Sequence, residues 1–346
     1  MEREEMEGLE QKLPDTRDSG LMYTIAAILF VFVGSRLARL GMPTGLYIIV
    51  SEVLIIALPP IVLARMKRLS IVPTFCLKKP RAVEILLTVM ISPVMIIAGA
   101  CAGLIALITI KNTFGSLQLN TGVTSVMSGG GVLWSLFLIA VVPAVCEELL
   151  FRGLIQRGLE RMGAGWSIFL SGLLFGLFHF DFQRFAAQTL IGVIAAYLVY
   201  RTGSIINGMI LHFLNNGLIT LLVHSSTSGI QQPNPMPQPS VDPFSSPEFL
   251  KLAERYGMSL SELLNSMIIP IAIIFVVCLV VIFGLLLVVR SVTRNRVELP
   301  VRDEKAGRGL LLGIPGVALV LMVYTAIGLE LLKNPAGPQI LRFLGL

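Results

Sequence analysis

The sequence is dominated by long apolar runs, and their lengths limit the folds that the chain can adopt. Nine runs approach the length of about 20 residues that a helix needs to cross a bilayer. They lie at roughly 21–38, 44–65, 83–110, 132–157, 164–180, 185–200, 203–223, 266–289 and 309–332. The fifth and sixth runs are the weakest candidates, because both are short and only the turn Asp181–Arg184 separates them.

The composition agrees with a membrane protein. Of the 346 residues, 55% are hydrophobic and 14% are charged, and the mean hydropathy is +0.82. Soluble domains are about 45–50% apolar and 25% charged, so this chain has too few charges to cover its apolar surface with water-soluble groups. We therefore predict an all-α, polytopic transmembrane helix bundle of eight to nine spans, with a shallow helical hairpin near 164–200 and the lipid bilayer as its surroundings.

The charges predict an orientation and exclude one class of partner. The net charge is +6, but the basic residues form short clusters between apolar runs, so a nucleic-acid partner is not expected. With nine spans, most of the 27 Lys and Arg residues fall on the side of the N-terminus. Cytoplasmic loops carry such an excess, so we expect a cytoplasmic N-terminus. The acidic start of the chain does not resemble the basic segment of a signal peptide.

The apolar runs and the polar stretches between them divide the chain into five segments. The longest connection contains the Pro/Gln-rich stretch 231–239, which is expected to be extended, and a possible surface helix at 247–264 that Ser245 or Ser246 would cap. The predicted segments are an acidic cytoplasmic tail at 1–20, N-terminal transmembrane helices at 21–131, a core at 132–223, an extracytoplasmic loop at 224–265 and C-terminal transmembrane helices at 266–346.

Three charged residues lie inside the fourth apolar run, which ends at Arg157. Glu147 and Glu148 are near its middle, where an ionisable side chain costs about 2.5–3.5 kcal/mol on insertion scales. Arg152 follows Glu148 by four residues, so the two share a helix face and an ion pair offsets part of this cost. Glu147 points about 100° away from Glu148, so Arg152 cannot pair with both from one position. A purely structural Glu–Arg clamp is the alternative to a functional site.

The histidines favour a functional site. The chain has only three, and His179 and His212 lie within or at the end of apolar runs, while His224 has the flanks of an interfacial residue. Asn216 follows His212 by four residues on the same helix face. A glutamate can take a proton from water with help from a histidine, and a His–Asn pair can donate hydrogen bonds to an oxyanion. This set of side chains suits hydrolysis of an amide bond inside the membrane.

Other protease signatures are missing from the sequence. It contains no HExxH zinc helix, no GxSG-type serine loop and no Gly-Asp or Tyr-Asp aspartyl pair. The four cysteines form no CxxC, so neither a disulfide framework nor a thiolate zinc site is predicted. Cys146 precedes Glu147, but no base is placed beside it by spacing, so a small buried apolar side chain is the better interpretation.

The polar residues form three motifs that resemble those of a known family. They are EExxxR at 147–152, FxxxH at 175–179 and HxxxN at 212–216. They resemble the motifs of the CAAX protease and bacteriocin-processing family, also called the CPBP or Abi family, whose eukaryotic relatives are the Rce1 endopeptidases that trim prenylated CaaX proteins. The resemblance covers roughly 132–223. It implies that Glu147 activates water, that His179 assists it, and that His212 and Asn216 are the oxyanion donors.

The resemblance also implies a supporting Glu148–Arg152 pair and a membrane-bound or lipidated protein substrate. It indicates a multi-pass protein of a prokaryotic cell membrane that works as a CAAX-type intramembrane endopeptidase. No cofactor is expected, although the family was long called metalloproteases. Zinc bound by Glu147, His179 and His212 is the alternative, because a carboxylate with two histidines is a known catalytic zinc set.

Two other functions remain open at this point. An ion or small-molecule transporter would also place polar residues inside the membrane, but it predicts them on many helices. Here the other spans carry few acidic residues, namely Glu52, Glu84 and Glu330. A non-catalytic scaffold could use the Pro/Gln-rich loop to bind another protein. That loop and the two C-terminal spans are departures from a minimal member of the family.

Overall fold

The structure, a computed structural model, describes residues 12–117, 130–227, 242–296 and 306–346. These residues form helices and no β-strand, apart from an isolated bridge between Leu77 and Ser204. The main helices are α1 (Thr16–Ala38), α2 (Thr44–Met66), α3 (Ala82–Phe114), α4 (Val132–Met162), α5 (Ala164–Leu177), α6 (Phe185–Thr202), α7 (Ile205–Thr227), α8 (Pro247–Arg255), α9 (Leu260–Val292), α10 (Ala306–Leu331) and α11 (Ala336–Leu344).

In the described ranges, eight helices are long and apolar enough to cross a membrane: α1 to α4, α6, α7, α9 and α10. The chain is therefore an integral membrane protein with a polytopic helical fold, as predicted. The fifth apolar run forms the exception. Helix α5 has 14 residues and is about 21 Å long at 1.5 Å per residue, which is shorter than the bilayer core of about 30 Å.

Helices α5 and α6 form the predicted hairpin, and glycines let their backbones touch. A Cβ atom added at Gly192 would lie only 2.8 Å from the Gly172 carbonyl oxygen. One added at Gly176 would lie 2.1 Å from the Thr189 hydroxyl. Small residues allow this kind of close helix packing in membranes, where the hydrophobic effect does not drive helices together. At the tip of the hairpin, 178–184, Phe178 and Gln183 are buried, whereas the Arg184 side chain is partly exposed.

The N-terminal segment and the loops that were predicted to lie on its side of the membrane contact one another at one end of the bundle. The contacts are a hydrogen bond from Ser70 N to Lys12 O (2.9 Å), the bridge between Leu77 and Ser204, and the ion pair of Arg296 with Glu84 (2.7 Å). The opposite end is joined by a hydrogen bond from Asn112 to Asn265 (2.8 Å). Both ends of the α5–α6 hairpin therefore lie on the side of the N-terminus. Assignment of that side to the cytoplasm stays a prediction.

The first helix begins earlier than the apolar run indicates, so the predicted tail at 1–20 is too long. Helix α1 starts at Thr16, and residues 1–11 lie outside the described ranges. Asp15 Oδ1 accepts a hydrogen bond from Asp18 N (2.9 Å), and Asp18 Oδ2 accepts one from Asp15 N (3.1 Å). This reciprocal cap satisfies backbone N–H groups at the helix start, which explains why acidic residues lie in a helix there.

The predicted loop at 224–265 also contains more helix than expected. Helix α7 continues to Thr227, and the surface helix α8 covers Pro247–Arg255 with Ser246 at its N-cap position. Helix α9 then starts at Leu260, six residues before the predicted start at 266, because Ser259 and Glu262 cap it reciprocally. Residues 231–239 lie outside the described part of the chain.

The largest apolar core lies between α1, α2, α4, α5 and α10. Phe151, Phe175 and Phe178 are at its centre, with the Phe151 ring 5.2 Å from Phe175 and 5.5 Å from Phe178, both edge to face. Val320 and Val323 of α10 are buried in the same core. The C-terminal span is therefore packed against the helices that carry the polar motifs.

Candidate active site

The ring of Phe175 contacts one residue from each of the three motifs. The Arg152 guanidinium carbon lies 4.3 Å from the ring centroid. The His179 ring is 4.8 Å away and the His212 ring 5.6 Å away, both edge to face. Phe175 itself is fully buried. Helices α4, α5 and α7 thus bring EExxxR, FxxxH and HxxxN to one place, as the sequence predicts.

The short helix α5 explains how His179 reaches this place. His179 follows the last residue of α5 by two positions, so it lies about 21 Å from the start of that helix. Glu148 precedes Met162, the last residue of α4, by 14 positions, which equals the number of residues in α5. Because α4 ends where α5 begins, the two residues are at a similar depth. A full crossing by α5 would have carried His179 past the glutamates.

Glu148 is the carboxylate that interacts with both His212 and Arg152. Its Oε1 lies 3.1 Å from Arg152 Nη1 and 3.2 Å from His212 Nδ1, and all three side chains are buried. Arg152 Nη2 also donates to the Gly192 carbonyl at 3.1 Å. A carboxylate paired with Arg accepts hydrogen bonds, so Nδ1 of His212 carries a hydrogen. Nε2 of His212 is then an acceptor in the neutral ring and a donor only in the imidazolium.

Gly208 of α7 makes room for the Glu148 carboxylate. A Cβ atom at this position would lie 2.6 Å from Glu148 Oε2 and 2.9 Å from a methyl carbon of Val199. Real Cβ atoms essentially never approach other atoms so closely, so an alanine here would displace the Glu148 carboxylate or the neighbouring side chain. Gly208 was not predictable from the sequence, because nothing in a single glycine before a histidine indicates a carboxylate from another helix.

Glu147 has different surroundings from its neighbour. The side chain is half-buried, and its Oε2 is buried without a hydrogen-bond partner in the described part of the chain. His212 and Arg152 lie within electrostatic range of this carboxylate. The prediction that Arg152 pairs with only one of the two glutamates is confirmed, and that glutamate is Glu148. Glu147 is therefore free to accept a proton or a hydrogen bond from a bound molecule.

His179 is oriented by its own helix. Its Nδ1 lies 2.9 Å from the Phe175 carbonyl oxygen, and since a carbonyl only accepts, Nδ1 carries the hydrogen. Nε2 is left with a lone pair. No hydrogen bond joins His179 to Glu147, and His179 lies within electrostatic range of His212 and Arg152. The hydrogen-bonded pairing in this site is thus His212 with Glu148.

The zinc alternative needs three ligands around one point. Among the residues that the structure describes, no three His, Cys, Asp or Glu side chains are grouped so that they could hold a metal ion. The Nδ1 hydrogen bonds of His179 and His212 are of the kind that orient metal ligands, but Glu147 does not join the two rings in a common coordination shell. The described side chains, as placed, do not fit a zinc centre.

Asn216 connects two helices. Its Nδ2 donates to the Ile139 carbonyl at 3.0 Å, and its Oδ1 accepts from Asn215 Nδ2 at 2.9 Å. Pro143, four residues after Ile139, has no N–H to donate to that carbonyl, so Asn216 supplies a donor in an environment without water. The second amide hydrogen of Asn216 remains for another acceptor. Nothing in the sequence relates Asn216 to Pro143, which lies in another helix.

A further acidic residue lies beside the site. Glu52 of α2 has a buried Oε2 without a hydrogen-bond partner in the described residues, and it interacts electrostatically with Glu147. The segment Ser51–Ala57 packs against Val142–Glu148 of α4. The signal was visible as a glutamate inside an apolar run, but the sequence alone could not show which way it faces.

Comparison with known proteins agrees with the motifs. No match was found among curated proteins or among solved structures. Residues 129–218 match the model of a protein family described as type II CAAX prenyl endopeptidase Rce1-like, and this range contains all three motifs. Helices α1 to α3 and α8 to α11 lie outside it. The predicted resemblance is therefore confirmed over this range: residues 129–218 are similar to an Rce1-like domain.

Proposed function

We propose that the chain is an intramembrane endopeptidase that hydrolyses a peptide bond with a water molecule activated by Glu147. The family match supports a peptidase. The observation that carries the proposal is the common contact of the three motifs with Phe175, together with Oε2 of Glu147, which is buried without a hydrogen-bond partner in the described residues. Both histidines there use Nδ1 for a hydrogen bond and leave Nε2 for the reaction.

The first step needs a base and an oriented water. Glu147 takes a proton from water while the water oxygen bonds to the carbonyl carbon of the substrate and the carbonyl π pair moves to its oxygen. The lone pair on His179 Nε2 accepts the second hydrogen of the same water and orients it. In the second step the tetrahedral intermediate collapses, the C–N bond breaks, and the protonated Glu147 gives its proton to the leaving nitrogen.

The negative charge on the oxyanion is stabilised from the α7 side. In this mechanism His212 acts as an imidazolium, with Nδ1–H bound to Glu148 and Nε2–H donated to the oxyanion. Glu148 stabilises that imidazolium, while Arg152 limits the cost of burying the carboxylate. The second amide hydrogen of Asn216 is the other donor. Glu148 and Arg152 are thus positioning residues, and they do not touch the substrate.

We propose a membrane-embedded or lipidated protein as the substrate. Glu147, His212 and Asn216 lie in helices long enough to cross the bilayer, so the scissile bond must be delivered within the membrane. A prenylated C-terminal segment of the CAAX type is the specific form that the family description suggests. We also propose that the end of the bundle with Lys12, Ser70 and Arg296 faces the cytoplasm of a prokaryotic cell, because of its Lys and Arg residues.

Proteoliposomes with the full-length chain would test this function. They would be supplied with a library of transmembrane and prenylated peptides, and products would be identified by mass spectrometry. We expect cleavage of at least one class by the wild-type protein, none by Glu147→Gln, and normal cleavage by the control His224→Ala. Cleavage by Glu147→Gln at the wild-type rate would contradict the proposal.

A further inference from the structure

We propose that Tyr324 in α10, outside the Rce1-like domain, is a positioning residue that holds the turn carrying His179. The inference rests on the proposed catalytic role of His179. It also assigns a function to the C-terminal span, which lies outside the residues matched by the family model.

The hydroxyl of Tyr324 reaches the two carbonyls that close this turn. It donates to the Leu177 carbonyl at 3.2 Å, with the Gly176 carbonyl at 3.4 Å. The same two carbonyls accept the backbone N–H groups of Phe180 (3.2 Å) and His179 (3.4 Å). The hydroxyl therefore supports both backbone hydrogen bonds that set the direction of the chain at His179.

The turn needs such support, because it contains a residue in an unfavourable conformation. Phe180 has a φ of +50°, in the left-handed region that side chains with a Cβ atom rarely adopt. Its ring stacks on Phe30 of α1, with centroids 5.0 Å apart and planes 8° apart. The turn thus contacts α1 through Phe30 and α10 through Tyr324.

A small movement of the turn would change the catalytic geometry. The Nδ1 hydrogen bond of His179 goes to the carbonyl of Phe175, four residues earlier and near the end of α5, so a change in the backbone between them moves the ring. Misplacement of a reacting group by about 1 Å can lower a rate about 100-fold. Loss of the Tyr324 hydroxyl alone would move His179 by less than this, because the Tyr324 ring would still pack against Phe182 and Phe185.

The test is Tyr324→Phe, with Tyr197→Phe as a matched control. Tyr197 donates a similar interhelical hydrogen bond, from α6 to the Leu286 carbonyl of α9 at 3.1 Å, and it belongs to none of the three motifs. We expect Tyr324→Phe to lower kcat about tenfold with an unchanged KM, and Tyr197→Phe to change neither. The two variants should lose similar amounts of thermal stability, since each loses one hydrogen bond.

A second measurement does not depend on activity. The chain has three histidines, so protein with isotope-labelled imidazoles gives three sets of ring signals, which His→Ala variants assign. Tyr324→Phe should shift or broaden the His179 signals, and Tyr197→Phe should not. An unchanged His179 signal would overturn the proposal whatever happens to kcat. In an active protein, so would a kcat equal to that of the control. If instead Glu147→Gln retains turnover, the proposed function fails, and the spectra still decide whether Tyr324 positions His179.

Discussion

His212 Nδ1 lies 3.2 Å from Oε1 of Glu148, and not against Glu147. Two adjacent glutamates in one transmembrane helix therefore have separate tasks. Glu148 is paired with His212 and with Arg152, whereas Oε2 of Glu147 is buried without a hydrogen-bond partner in the described residues. The following predictions depend on this division.

Replacement of each glutamate by glutamine should give different results. Glu147→Gln removes the proton acceptor and should abolish turnover with little change in stability. Glu148→Gln leaves Arg152 buried without its counter-charge and should cost about 3–5 kcal/mol of stability as well as activity. Peptide hydrolysis and thermal denaturation on the same preparations would measure both effects. Equal effects of the two changes, confined to turnover, would contradict the division of tasks.

Gly208→Ala should damage the site through steric contact alone. The added Cβ would lie 2.6 Å from Glu148 Oε2, and such overpacking costs about 1–3 kcal/mol. The displaced carboxylate should also lower kcat. Gly284→Ala in α9 is the matched control, because nothing lies within 4 Å of its added Cβ. It should retain activity and gain a little helix stability, up to about 1 kcal/mol. Equal melting temperatures for the two variants would refute the packing argument.

Asn216 should contribute to both stability and rate. Asn216→Ala removes the donor to the Ile139 carbonyl, and membrane hydrogen bonds of this kind contribute about 0.6 kcal/mol on average. It should also lower kcat by about 100- to 1000-fold with little change in KM, as for other lost oxyanion donors. Asn216→Asp should be worse, because a negative charge would face the oxyanion. If folded protein of both variants cleaves normally, Asn216 is only an interhelical contact.

Metal removal should leave turnover unchanged. The proposed mechanism uses only side chains and water, so thorough chelation should have no effect, and elemental analysis should find well under one zinc per chain. Loss of activity that returns on addition of Zn²⁺ would show that Glu147, His179 and His212 rearrange into a metal site when substrate or metal is present.

Hydropathy predicted the spanning helices well because the length and polarity of a membrane helix are fixed by the bilayer. It misplaced the starts of α1 and α9. Both helices begin with a reciprocal cap, formed by Asp15 and Asp18 in α1 and by Ser259 and Glu262 in α9, and these polar residues resemble loop residues in a hydropathy profile. The position of a cap depends on backbone geometry, which hydropathy does not measure.

The members of the candidate site were predictable from three motifs, but their partners were not. Glu147 and Glu148 differ by one position, or about 100° around the helix, and only the packing of α7 decides which of them meets His212. The contact of Asn216 with Ile139 likewise depends on a proline in another helix. Glu52 was visible as a charge but not as a neighbour of Glu147.

Phe175, the apolar residue of the FxxxH motif, separates the polar side chains of the site. Its ring is a spacer of fixed thickness between a cation and two imidazoles. A smaller side chain there would let Arg152 and the two histidines move towards one another, and a larger one would drive them apart, without altering a single polar atom. A transplanted set of glutamates and histidines would therefore need the same spacer to work.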